Sequence, residues 1–199
     1  MKKATLTIMC GIPRCGKSTW IKKNNVKEVI VSPDEIRKEI FGHQFHASSN
    51  KFVFAVTEAM TILILKQGID VIIDATHISR ASRSAWRSVA NKCDAKVKVV
   101  WVRAHKNKER NFLACLERNE LSKEGNKLPL DALLRMASFI EDPDSFEEDW
   151  FELVEYISPH RRKLPKNKRI IIDKWDGLLQ IMQKGEKLWG VVESQEKSS

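Results

Sequence analysis

The chain has 199 residues, of which 42% are hydrophobic and 31% are charged, and its formal net charge is +9. This balance fits one soluble globular domain, and no apolar run is long enough to cross a bilayer, so we expect a cytoplasmic protein with no membrane partner. The excess of positive charge favours a polyanionic partner such as nucleic acid, although solubility alone would explain it as well.

The first predicted elements are a strand, a glycine loop and a helix. Residues 4–10 (ATLTIMC) predict a buried strand, residues 11–18 (GIPRCGKS) fit the phosphate-binding loop pattern, and a helix follows. Glycine lets the backbone approach an anion, and consecutive amide groups form an anion-binding nest. Lys17 can reach the β- and γ-phosphates of a nucleotide, and Ser18 can hold the Mg²⁺ that accompanies them. The alternative is a plain glycine turn between strand and helix. The predicted nucleotide-binding residues of this loop are Gly11, Ile12, Pro13, Arg14, Cys15, Gly16, Lys17, Ser18 and Thr19.

Strand-like and helix-like segments alternate along the rest of the chain, which predicts an α/β fold with a parallel sheet flanked by helices and a helical lid. The segment 52–66 is apolar nearly all round and therefore predicts a buried helix. The predicted strands are 28–31, 69–74, 96–102 and 151–157. The other predicted helices are 33–42, 79–92, 106–119 and 129–140.

Two carboxylates follow predicted strands. Asp34 comes shortly after the second strand and Asp74 ends the third. Open parallel sheets bind ligands beyond the carboxyl ends of their strands, so both side chains are expected near the glycine loop. Asp74 resembles a Walker-B acid that orients Mg²⁺ together with Ser18, and a surface carboxylate is the alternative. His77, just downstream, is expected to face the same cleft.

Asp34 and Arg37 are expected to share one face of a helix, because they lie three residues apart. The carboxylate could take the proton of an acceptor hydroxyl, and the arginine could hold a substrate phosphate in a bidentate grip. An ordinary surface ion pair explains the same spacing equally well.

Basic side chains recur later in the chain. One set lies around the helix before a polar, glycine-containing segment and predicts a lid over the transferring phosphoryl group, or else a solvated helix face. That set is Arg110, Arg118 and Lys123. A second set shares one face of an earlier helix, directed either to solvent or to a phosphate backbone. That set is Arg80, Arg83 and Arg87.

Several of these motifs keep a fixed order over residues 1 to 140. They are MKK with LTI, GKSTW, Asp34 with Arg37, VII followed by Thr76, Ala85-Trp86, Arg118-Asn119 and LPLDAL at residues 128–133. Together they resemble the 5′-polynucleotide kinase family, in particular the P-loop kinase domain of its phage members without their phosphatase domain. The departures are Arg14 and Cys15, where the family has small residues, and His77, where the family tends to have asparagine. Lys123 is the nearest match to a second lid arginine.

The resemblance implies an enzyme that moves the γ-phosphate of ATP, with Mg²⁺, to the 5′-hydroxyl of single-stranded DNA or RNA. It implies that Asp34 is the general base, that Arg37 contacts the phosphate next to the acceptor nucleoside, and that Lys17 and Arg118 stabilise the transferring group. The alternatives are a P-loop kinase of a small metabolite, nucleotide or antibiotic, and a non-catalytic ATP-binding module. We expect a kinase domain at 1–157 and a basic C-terminal extension at 158–199, packed on that domain and ending in a frayed tail.

Overall fold

The structure is a computed structural model that describes residues 3–24, 26–42, 47–122, 127–143 and 151–158. Its strands are β1 (Thr5–Cys10), β2 (Val29–Val31), β3 (Val71–Ile73), β4 (Lys96–Arg103) and β5 (Glu152–Ile157). Its helices are α1 (Lys17–Lys23), α2 (Pro33–Phe41), α3 (Asn50–Lys66), α4 (Arg80–Lys92), α5 (Lys108–Glu120) and α6 (Leu130–Ser138), and a 3₁₀ turn at Ala47–Ser49 precedes α3. Strands and helices alternate as the sequence predicts.

The strands form one sheet in the order β2-β3-β1-β4-β5, and each neighbouring pair is parallel. Val31 at the end of β2 pairs with Ile73 at the end of β3, and Ile73 pairs with Ile8 of β1. The carboxyl ends of these three strands therefore lie side by side at one edge of the sheet. This is the predicted α/β architecture of P-loop NTPases and kinases.

Two apolar clusters cover the two faces of the sheet. Alternate residues of β1 point to opposite faces, so Met9 packs with residues of α1, α5 and α6, whereas Ile8 packs with residues of α3 and α4. A strand buried on both faces explains why β1 carries apolar residues, such as Ile8 and Met9, on both sides of the sheet. Among the described residues, no helix is long and apolar enough to span a membrane.

Helix α3 is not the buried helix that its composition predicts. Its buried stripe is Val53, Thr57, Thr61 and Leu65, and the two threonine hydroxyls donate to carbonyl oxygens one turn earlier. Large apolar side chains lie on its exposed side instead. They are Phe52, Phe54, Met60 and Leu63. Apolar content therefore overestimated the burial of this helix, because the sheet covers only the stripe that repeats every four residues.

The predictions for His77 and for the basic face of α4 are also wrong. His77 is buried rather than facing a cleft, its Nδ1 lies 3.0 Å from the carbonyl oxygen of Met9, and its ring packs edge-on against Trp86. Arg83 is fully buried and donates to the carbonyl oxygen of His77 at 3.0 Å. Only Arg80 and Arg87 of the predicted trio are exposed, so α4 has no continuous basic face.

Lys123 lies outside the described residues, as does all of the proposed extension at 158–199 except Ser158.

Candidate active site

The glycine loop joins β1 to α1 and is fixed to the neighbouring strand connection. The amide of Gly11 donates to the carbonyl oxygen of Thr76 at 2.9 Å. Gly11 and Gly16 have φ values of +144° and +116°, which side chains rarely adopt. A Cβ on Gly16 would lie 2.4 Å from the hydroxyl oxygen of Ser158, and a Cβ on Gly11 would lie 2.4 Å from the carbonyl oxygen of Val102. Both glycines are therefore required by conformation and by close packing.

Arg14, which stands where the similar family has a small residue, adopts a left-handed backbone conformation. Its φ is +66°, which costs a residue with a side chain about 1–2 kcal/mol. Its Nε donates to the side-chain oxygen of Asn119 at 3.4 Å, so the side chain is tied to α5. The loop thus keeps the left-handed bend with arginine in place of a small residue.

Lys17 folds back over the loop. Its Nζ donates to the carbonyl oxygens of Gly11 at 2.8 Å and Ile12 at 3.2 Å. The ammonium group is therefore held against the backbone of the loop whose amides are predicted to form the nest. A nucleotide phosphate placed there would meet a positive charge already in position.

Cys15 is fully buried beneath the loop. Burial raises the pKa of its thiol, more than Lys17 lowers it. The thiol is therefore protonated and poorly reactive, and it serves as a packing group under the loop.

Ser18 and Asp74 lie together next to the loop. Burial raises the pKa of the Asp74 carboxyl, and the Ser18 hydroxyl lies close enough to oppose that rise. The positive charge of Lys17 also opposes the rise in pKa, and the negative charges of Asp34 and Glu35 add to it. Hydroxyl and carboxylate oxygens are hard donors that suit Mg²⁺, which binds protein through one or two such groups and takes the rest from phosphates and water. These residues fit a magnesium ion that accompanies a nucleotide.

Asp34 and Arg37 flank the same edge of the sheet. Asp34 stands in the first turn of α2, where Ser32 caps the helix and Pro33 begins it. Its side chain is 88% exposed, and Arg37 donates to it at 2.5 Å. Arg37 is only 11% exposed and also donates to the side-chain oxygen of Asn50 at 3.0 Å. The spacing thus produces the ion pair, in which the carboxylate stays open to solvent and the arginine is held between α2 and the start of α3.

Arg118 of α5 donates hydrogen bonds to the glycine loop. One guanidinium nitrogen, Nη1, donates to the carbonyl oxygens of Arg14 at 2.9 Å and Cys15 at 2.8 Å. The other, Nη2, donates to the carbonyl oxygen of Ser158 at 3.2 Å. Arg118 therefore contacts the loop backbone directly. Arg110 is exposed on the same helix and is not brought to the loop.

Asn119 is a site residue that reasoning from chemistry overlooked. It is buried, and its side-chain oxygen accepts from the amide of Leu128 at 3.0 Å while its side-chain nitrogen donates to the carbonyl oxygen of Leu128 at 2.9 Å. These two hydrogen bonds join Asn119 to Leu128, and the polar, glycine-containing segment lies between these two residues in the sequence. The adjacent Arg118-Asn119 pair in the sequence was the available signal.

A family model described as an AAA domain, AAA_33, matches residues 6–143. The chain belongs to the AAA_33 family. The matched region contains the glycine loop, both carboxylates and Arg118. With the parallel sheet, it identifies a kinase-like P-loop domain. No curated protein matches the chain in sequence.

Solved structures share this fold at low sequence identity. A chain of the Pnkp1/Rnl/Hen1 RNA repair complex is 22% identical with a TM-score of 0.58, and the match covers 83% of this chain but only 51% of that one. Kti12 of Chaetomium thermophilum, in complex with ADP-AlF3, is 15% identical with a TM-score of 0.53, covering 86% and 97%. A gluconokinase from Sinorhizobium meliloti 1021 is 15% identical with a TM-score of 0.50, covering 92% and 97%. At these identities the likeness establishes the fold alone.

Proposed function

We propose that this AAA_33 domain is an ATP-dependent kinase that phosphorylates the 5′-hydroxyl end of DNA or RNA. In this proposal the glycine loop and Lys17 hold the triphosphate, and Ser18 and Asp74 hold Mg²⁺. Asp34 accepts the proton of the 5′-hydroxyl, and Arg37 contacts the adjoining phosphate.

The observation that carries the proposal is the position of Asp34. Its carboxylate is 88% exposed, and it lies close enough to Asp74 for its charge to raise the pKa of that group. A general base must be reachable by an acceptor that approaches the terminal phosphate. An exposed carboxylate beside the magnesium residues meets that requirement, whereas a carboxylate packed into the core would not.

The Arg37 ion pair is compatible with this role. A guanidinium has five N–H donors, so Arg37 can contact a phosphate while still bonded to Asp34 and Asn50.

Two observations favour a nucleic-acid end over a small neutral acceptor. The net charge of +9 suits a polyanion. The chain also shares its fold with a chain of an RNA repair complex, although it shares that fold with a gluconokinase too. The resemblance of the motif set to 5′-polynucleotide kinases adds support that fold alone does not give.

The direct test is transfer of the labelled γ-phosphate of ATP to oligonucleotides that carry a 5′-hydroxyl, with DNA and RNA assayed separately. We expect magnesium-dependent labelling at the 5′ end. An oligonucleotide with a 5′-phosphate is the matched control and should remain unlabelled. Labelling of gluconate or another small alcohol, without labelling of either oligonucleotide, would favour the small-molecule kinase and overturn the proposal.

A further inference from the structure

The exposed aromatic side chains of α2 and α3 stand next to the proposed acceptor residues. Phe41 is 40% exposed and Phe52 is 51% exposed, and their rings meet edge to face with centroids 5.9 Å apart. They line an open groove of about 600 Å³ together with Ile40, Ser48 and Ser49. This volume falls within the range of about 300–1,000 Å³ that is typical of ligand sites.

One face of α2 connects this groove to the acceptor carboxylate. Asp34, Arg37, Lys38 and Phe41 follow the spacing i, i+3, i+4 and i+7, which places them on one stripe of the helix. The carboxylate, two cations and an aromatic ring thus follow one another along the stripe. Glu35 and Glu39 lie off this stripe, so no other acidic side chain of α2 interrupts it.

The second helix continues the same surface. Arg37 donates to Asn50, the first residue of α3, and Phe52 lies two residues further along that helix. The contact between the two rings joins α2 to α3 at the groove. Ser49, which lines the groove, immediately precedes Asn50, so the groove adjoins the residue that Arg37 contacts.

The distances suit a nucleic-acid strand. At about 1.5 Å of rise per residue, Phe41 lies about 10 Å beyond Asp34 along the helix. Stacked nucleotides advance about 3.4 Å each, so this span corresponds to about three nucleotides, and to fewer in an extended strand. Single strands are bound by cations that follow the backbone and aromatic rings on which bases stack.

We propose that Phe41 and Phe52 form a stacking subsite for the second or third nucleobase of the acceptor strand. The subsite rests on the proposed function, and it specifies a strand of several nucleotides as the preferred acceptor. Its contribution is to acceptor binding rather than to the chemical step, because Phe41 lies about 10 Å along α2 from Asp34.

The test compares the KM of two 5′-hydroxyl oligonucleotides, one intact and one abasic at positions two and three. Because stacking on one aromatic ring is worth about tenfold or more in binding, Phe52→Ala should raise the KM for the intact strand about tenfold and leave the KM for the abasic strand unchanged. Phe52→Trp should keep the KM of the original protein, and kcat should stay within about twofold in both variants.

Leu63→Ala is the matched control, since Leu63 is 65% exposed on the same helix but does not line the groove. It should leave both KM values unchanged. An unchanged KM in Phe52→Ala, or an equal rise for both oligonucleotides, would overturn the stacking subsite while the kinase assignment stands. A smaller sedimenting species in Phe52→Ala would assign the groove to a contact between two copies of the chain and would also overturn it. Failure of the unaltered protein to label either oligonucleotide would overturn the proposed function and the subsite together.

Discussion

Replacing Arg118 with alanine should weaken the binding of ADP and ATP equally. The structure shows two hydrogen bonds from its Nη1 to the loop carbonyl oxygens of Arg14 and Cys15. At about 1 kcal/mol for each bond that water replaces, the ordered loop loses about 2 kcal/mol of stability. If nucleotide binds only the ordered loop, this loss corresponds to a rise of up to about 30-fold in Kd. Both bonds hold the backbone of the loop that is proposed to bind the phosphates of either nucleotide, so we expect the two nucleotides to be affected to the same extent.

Isothermal titration calorimetry with ADP and with ATP measures this effect. Arg110→Ala is the matched control, because Arg110 is exposed on the same helix and makes none of the hydrogen bonds to the loop that Arg118 makes. Its nucleotide affinity should equal that of the unaltered protein. If Arg118→Ala leaves the Kd for ADP unchanged and lowers only kcat, Arg118 acts on the transferring group and the loop-positioning account is refuted.

Two further predictions concern the residues around the loop. Burial lowers the pKa of His77 to about 4, so the folded protein resists protonation there. The free energy of unfolding should therefore fall by up to about 3 kcal/mol as the pH is lowered from about 6.5 to about 4. In His77→Asn, the free energy of unfolding measured with urea should depend less on pH over that interval than in the unaltered protein. An identical pH dependence of the free energy of unfolding in both proteins would show that His77 does not contribute to it. Gly16→Ala should abolish nucleotide binding, because the new Cβ meets the Ser158 hydroxyl oxygen at 2.4 Å. Gly42 has φ +75° and ψ −158° but open space around it, so Gly42→Ala should lose about 1–3 kcal/mol of stability and keep nucleotide binding. Equal nucleotide affinity in the two glycine variants would contradict the proposed close contact at Gly16.

The elements that the sequence predicts well are those whose cause is local. The glycine loop was predictable because Gly16, Lys17 and Ser18 stand at fixed spacing between an apolar strand and a helix. Helix and strand boundaries lie within two residues of those predicted for the described part of the chain. The ion pair of Asp34 and Arg37 was predictable from helical spacing alone.

The errors concern contacts between distant segments. Periodicity placed Arg83 on a face of α4, but it could not show that β1 and the 74–79 connection bury that side chain. The hydrogen bonds from Arg118 to the loop join residues more than a hundred positions apart, so no local sequence pattern predicts them. Helix α3 buries only the stripe that faces the sheet, so its other apolar side chains remain exposed. The composition of a helix does not show how much of its surface other elements cover.

The proton-accepting role of Asp34 is the central claim, and single-turnover transfer by Asp34→Asn tests it most directly. Asparagine keeps the size of the side chain but cannot accept the hydroxyl proton. We expect the transfer rate to a 5′-hydroxyl oligonucleotide to fall by about 10²–10⁴-fold, with the Kd for ATP unchanged within about twofold. A transfer rate within a few-fold of the unaltered protein, at the same ATP affinity, would contradict the claim.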